Sequence, residues 1–132
     1  MKLNILALFL LAFCSAGVFA AEKVADISHK ELVDAVSTGK VVLIDCNGSD
    51  SYSKHHIPGA VDFATAKEDL AKKLPTDKGA LIVAYCGNEQ CNAYESGANA
   101  AVGLGYTNVK HYPGGIAGWL TAKEKVEGTD AK

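Results

Sequence analysis

Two apolar runs of strand length, "VVLID" at residues 41–45 and "ALIVAYC" at residues 80–86, constrain this chain more than any other feature. Neither alternates with polar residues, so each reads as a strand covered on both faces. Helical segments separate them. "SHKELVDAVSTGK" opens with Ser28 as N-cap and Glu31 three residues on, a capping box. Leu32, Val33 and Val36 supply its apolar stripe, and Gly39 stops it. "TAKEDLAKKL" repeats the pairing with Thr65 and Glu68 and ends before Pro75. The Ala-rich "YESGANAAVGLG" suits a helix lying close on a sheet, and "IAGWLTAKEKV" a closing helix. Short strands are expected near 61–63, after the Pro58-Gly59 turn, and in "TNVKHY". Such alternation predicts an α/β fold: a parallel sheet with right-handed crossovers and helices on both faces. Ligands of these sheets sit at the carboxyl ends of the strands. Asp45, Cys46, Cys86 and the turn from Pro113 to Gly115 all fall there.

The 132 residues imply one folded domain, preceded by a leader. "MKLNILALFLLAFCSAGVFA" carries Lys2, an apolar core from Leu3 to Phe13 and small residues up to Ala20. That layout is a secretory signal cleaved after Ala20, leaving residues 21–132 as the domain, in the periplasm or secreted. The run is short for a bilayer span, so no membrane attachment is expected after cleavage. Bulky Phe13 disfavours lipid attachment at Cys14. Loss of Lys2 takes the formal net charge from −2 to −3, and no basic patch supports a nucleic-acid role. The chain contains no arginine, the usual two-pronged grip for carboxylate, phosphate or sulfonate.

Export also decides how the thiols read. Without Cys14 the chain keeps Cys46, Cys86 and Cys91, an odd number for an oxidising compartment, so at least one thiol is free or reactive. Cys86 and Cys91 lie five apart across Gly87, Asn88, Glu89 and Gln90, directly after a buried strand. The spacing admits a disulfide, a nucleophile with a resolving partner, half of a metal site, or thiols without chemistry.

Three blocks in order resemble the rhodanese-homology family, whose members carry sulfur as a cysteine persulfide. The first is "LIDCNGSDSYSKHHIPGA", with Asp45, Tyr52 and His56-Ile57-Pro58-Gly59-Ala60 in the family's register. The second is "IVAYC", the strand that delivers the family's active cysteine, and the third is "LGYTNVKHYPGGIAGW". The resemblance implies a single rhodanese-like domain with a sheet of about five parallel strands. Two departures stand out. Cys46 replaces the arginine common after the strand aspartate, and Cys91 occupies the sixth position of the active loop. The segment from Cys86 to the helix is also about three residues longer than in common members.

From the resemblance, Cys86 is the catalytic thiol, its loop Gly87, Asn88, Glu89, Gln90 and Cys91 binds substrate, and Asp45, Cys46 and His56 support the site. Sulfur transfer needs a thiolate, and most free thiols are protonated at neutral pH. Between a strand end and a helix start, loop amides and the helix dipole can stabilise both the thiolate and an anionic donor. No cofactor is implied. The partners would be a small sulfur donor, thiosulfate or polysulfide, with a thiol or cyanide as acceptor, or a partner protein's persulfide; the oligomeric state is left open. Cys46 is read as a buried neighbour, His56 as fixing the Pro58 turn, His55 as exposed, His111 as a surface residue near the pocket, and Trp119 as a core anchor. Phosphatase chemistry is disfavoured because residue 92 is asparagine where an arginine would be needed. Two alternatives stay open: a thiol–disulfide redox pair of Cys86 and Cys91, and a soft-metal thiol site adding Cys46 or His111.

Overall fold

A computed structural model describes residues 23–131, so the expected leader lies outside the described residues. The strands are β1 (Ala25–Asp26), β2 (Val42–Asp45), β3 (Val61–Asp62), β4 (Ile82–Tyr85) and β5 (Val109–His111). All pair in parallel, in the order β1-β5-β4-β2-β3. The helices are α1 (His29–Ser37), α2 (Ser49–Lys54), α3 (Phe63–Ala66), α4 (Leu70–Lys73), α5 (Tyr94–Gly103) and α6 (Gly115–Thr121). The α/β architecture expected from the alternation is present.

The strand period of two divides the core. Ile44, Ile82 and Ala84 point to the face packed by Ala98 and Ala101 of α5 and by Leu70 and Leu74. Leu43, Val83 and Tyr85 point to the other face, against Leu32 of α1 and Trp119 of α6. Central β4 is 0 % exposed along its whole length, which is why it carries no charged residue and only the Tyr85 hydroxyl as a polar side-chain group. Cys86 continues its even-numbered series onto the α5 face.

The Ser28 capping box forms as expected. Glu31 N donates to Ser28 Oγ at 3.3 Å and Ser28 N to Glu31 Oε2 at 3.0 Å. The helix expected from Thr65 instead starts earlier and breaks in two. Asp62, at the exit of β3, caps it by accepting from Ala64 N at 3.1 Å, while Thr65 Oγ1 donates to the Asp62 carbonyl. An aspartate already positioned by a strand takes the capping role before the threonine is reached. The segment after β2 folds into α2, and the residues just before Ser28 contribute edge strand β1. Trp119 is the expected core anchor, 2 % exposed, with Nε1 donating to the Lys125 carbonyl at 2.8 Å. Among the described residues, no helix is long and apolar enough to cross a membrane.

Candidate active site

At the exit of β4, Cys86 is 1 % exposed and joined in a disulfide to half-buried Cys91, with their Cα atoms 6.3 Å apart. The strand period aims Cys86 at the α5 face, and the five-residue loop returns Cys91 to the same side just before α5 begins. Asn88 shapes that return. Its side-chain Oδ1 accepts from Gln90 N at 3.0 Å and its carbonyl accepts from Cys91 N at 3.1 Å, an Asx-type turn. Asn88, Glu89 and Gln90 are exposed at its tip. Among the described residues, nothing accepts a hydrogen bond from the amides of Gly87, Asn88 or Glu89. No side chain caps the N-terminus of α5 either, so its dipole opens onto the loop.

The start of the loop is clamped by a second helix. The amides of Ile116 and Ala117, in the first turn of α6, donate to the carbonyls of Cys86 and Gly87 at 2.9 and 3.0 Å. Gly115 makes this approach possible. Its φ is +61°, and a Cβ there would lie 2.6 Å from the Cys86 oxygen and 2.7 Å from the Gly87 carbonyl carbon. The double glycine after β5 thus holds the loop to the sheet edge.

Of the supporting residues, Asp45 and Cys46 belong to the neighbouring strand end. Cys46 N donates to the Tyr85 carbonyl at 2.9 Å, which ties the exit of β2 to that of β4. Asp45 is 0 % exposed; its Oδ1 accepts from Asn47 N at 2.8 Å, while Oδ2 has no hydrogen-bond partner among the described residues. Burial pushes its carboxyl above the ordinary range, and the nearby Tyr85 hydroxyl and Asn47 amides offset part of that. The Tyr85 hydroxyl itself accepts from Ile57 N at 3.0 Å, and burial pushes it far up. Cys46, unpaired, tucks its sulfur under α5. Burial pushes its thiol up to about 12, and a Cβ on Gly97 would meet Sγ at 2.6 Å. It is half-buried and packs against the α5 side of the core.

His56 lies away from the loop. Its Nδ1–H donates to the Tyr52 carbonyl at 2.7 Å, its ring stacks on Tyr52 at 3.8 Å, and Nε2 faces Glu127 at 3.4 Å. Main-chain bonds pair His56 with Glu127, so it fastens the exit of α2 to the chain's last segment beside the Pro58 turn. His55 is half-buried rather than exposed, at the C-cap of α2. His111 is a correction: it is 6 % exposed, not a surface residue. Its ring stacks on Tyr94, the first residue of α5, with centroids 3.4 Å apart, and Nδ1 meets Asp26 at 3.1 Å. Strand β5 thereby supports the start of α5 from beneath. Tyr94 and Asp26 carry no motif that marks them as positioning residues in the sequence, whereas the Gly-Gly pair signals Gly115.

Chemically, the site offers one buried sulfur, a second more accessible sulfur bonded to it, and, among the described residues, three loop amides, those of Gly87, Asn88 and Glu89, that donate to no acceptor. Among the described residues, no group of three or more His, Cys, Asp or Glu is placed to hold a metal ion.

The rhodanese-like domain family matches residues 28–122, which span α1 to α6 and the whole loop. The chain is similar to the thiosulfate sulfurtransferase GlpE of Coxiella burnetii (strain RSA 331 / Henzerling II), 30% identical over 94 residues, covering 70% of this chain and 84% of that protein. It is also similar to the thiosulfate sulfurtransferase GlpE of Pseudomonas syringae pv. syringae, 29% identical over 101 residues, covering 74% and 92% respectively. Among solved structures, the BH2092 protein of Bacillus halodurans superposes with a TM-score of 0.64 at 25% identity, covering 81% of this chain and 79% of that one. Sheet order, loop position and sequence match agree, and the chain belongs to the rhodanese-like domain family.

Proposed function

We propose that this protein is an exported sulfurtransferase that carries sulfane sulfur as a persulfide on Cys86. The observation that carries the reading is the placement of Cys86 at the exit of the central strand, in a loop that α6 clamps and whose Gly87, Asn88 and Glu89 amides donate to nothing among the described residues. In the reduced protein the Cys86 thiolate attacks the outer sulfur of a donor R–S–S⁻. The Cys86–sulfur bond forms, the donor's S–S bond breaks, and R–S⁻ leaves. A thiolate or cyanide then takes the outer sulfur, and the Cys86 thiolate leaves as it arrived. The loop amides and the α5 dipole stabilise the anions at each stage. The Cys86–Cys91 bond must be reduced first, because a disulfide sulfur cannot serve as the nucleophile.

The donor is a polysulfide or a small persulfide in preference to thiosulfate. A sulfonate needs a cationic grip, the chain has no arginine, and Glu89 stands at the loop tip. The secretory-type leader supports export, where an oxidised cysteine pair persists. Thiocyanate formation from cyanide, measured on reduced protein with each donor, tests this. Polysulfide turnover exceeding thiosulfate turnover, and none in Cys86→Ser, is expected. Strong thiosulfate preference contradicts the donor assignment, and full activity in Cys86→Ser contradicts the carrier.

The observed disulfide favours a second reading, a thiol–disulfide redox protein. Cys91→Ser separates the two. It abolishes redox cycling in both, but only a sulfurtransferase still gains a sulfur atom on Cys86.

A further inference from the structure

The two sulfurs of the loop differ in exposure and share one side of the sheet. Cys86 is 1 % exposed, whereas Cys91 is half-buried at the outer end of the loop. With Cα atoms 6.3 Å apart, the backbone already holds them within disulfide reach. The alternative resolving thiol is excluded by its own surroundings: Cys46 is fixed against Gly97, and burial keeps it protonated.

We infer that Cys91 is a second catalytic residue, which resolves the Cys86 persulfide internally and makes the protein a sulfane-sulfur reductase that releases hydrosulfide. The inference rests on the reading of Cys86 as the sulfur carrier. The Cys91 thiolate attacks Sγ of Cys86 in Cys86–S–SH. The Cys86–Cys91 bond forms, the bond between Sγ and the outer sulfur breaks, and the outer sulfur departs as HS⁻ with both electrons of that bond. The two cysteines are thereby oxidised and the sulfane sulfur is reduced. The product of this step is the disulfide present in the structure. An external dithiol closes the cycle by attacking the more accessible Cys91 sulfur and releasing the Cys86 thiolate. Its second thiol then frees Cys91 and leaves the dithiol as a disulfide. The difference in exposure fixes this order of attack.

The test uses full-length protein, reduced, freed of reductant and kept anaerobic. It is mixed with one equivalent of glutathione persulfide, and hydrosulfide, intact mass and remaining thiols are read together. For the parent, about one hydrosulfide per protein is expected, with no net gain of sulfur and Cys86 and Cys91 both lost to alkylation. Cys91→Ser and Cys91→Ala should gain one sulfur atom, hold it, and release no hydrosulfide above the protein-free rate. Excess dithiothreitol should make the parent turn over repeatedly. Equal hydrosulfide release from parent and variants overturns the inference while leaving Cys86 as a carrier. A parent that keeps its added sulfur with Cys91 still alkylatable does the same. Failure of parent and both variants to take up or release any sulfur overturns both the inference and the carrier reading.

Discussion

Replacing Gly115 by alanine should release the loop that holds Cys86, and the structure sets the size of the effect. The residue sits at φ +61°, where a side chain costs about 1–2 kcal/mol. The new Cβ would also lie 2.6–2.8 Å from the Cys86 oxygen and the Gly87 carbonyl. Relief requires α6 to retreat, which stretches the bonds from Ile116 and Ala117; overpacking of this kind costs a further ~1–3 kcal/mol. The total is about 2–5 kcal/mol, a large share of a stability of roughly 5–15 kcal/mol. Gly39 is the matched control, at φ +68° with no atom within 4 Å of its would-be Cβ, so Gly39→Ala should cost only the backbone part. Urea unfolding of the three proteins reads the difference as a midpoint lower by about 1 M in Gly115→Ala than in Gly39→Ala, for an m-value of about 2 kcal/mol/M. Sulfur loading should slow in Gly115→Ala alone. Equal midpoints for the two variants would refute the proposed clamp.

Cys46, with its thiol pushed up to about 12 from 9.0, should react with iodoacetamide about a thousandfold more slowly than an unperturbed thiol at pH 8; peptide mapping of native and urea-unfolded protein checks this. Burial holds His111 below its ordinary 6.5, against the opposing pull of Asp26. The unfolded chain therefore binds that proton first as pH falls, so stability should decline from about pH 7 downward until the folded ring protonates too, and His111→Gln should flatten this decline in urea titrations. Asp45 has the opposite sign: its raised carboxyl makes ionisation costly to the fold, so stability should fall as pH rises from 3.8 through the folded value. Asp45→Asn should gain on the parent across that window, and a constant difference between the two from pH 4 to pH 7 would contradict the assignment.

The fold was readable because two buried strands and several helix caps state their roles locally. The run from Ile82 to Tyr85 holds no charged residue because both its faces are covered, and Ser28 caps α1 through contacts three residues away. Reading weakened where structure depends on distant partners. The sequence around α2 shows no apolar period, because the helix buries no residue of its own and is held by Tyr52 through His56 and the Ala60 carbonyl. Thr65 lost its capping role to Asp62, which strand pairing with Asp45 had already placed. His111 looked like a surface residue because its partners, Tyr94 and Asp26, are remote in sequence. At the site, strand position and spacing identified Cys86 and Cys91 as a pair but left a disulfide, a nucleophile with a resolving partner, half of a metal site and idle thiols all open. Only the fold, which returns both to the α5 side, selects the disulfide.

The most direct measurement is fragmentation mass spectrometry on reduced Cys91→Ser protein after brief anaerobic exposure to polysulfide, the variant in which any adduct on Cys86 cannot be resolved. One additional sulfur atom, located on the peptide containing Cys86, is the expected result. An unmodified Cys86 peptide under these conditions, or added sulfur found only on Cys46, would contradict the assignment of Cys86 as the sulfur-carrying residue.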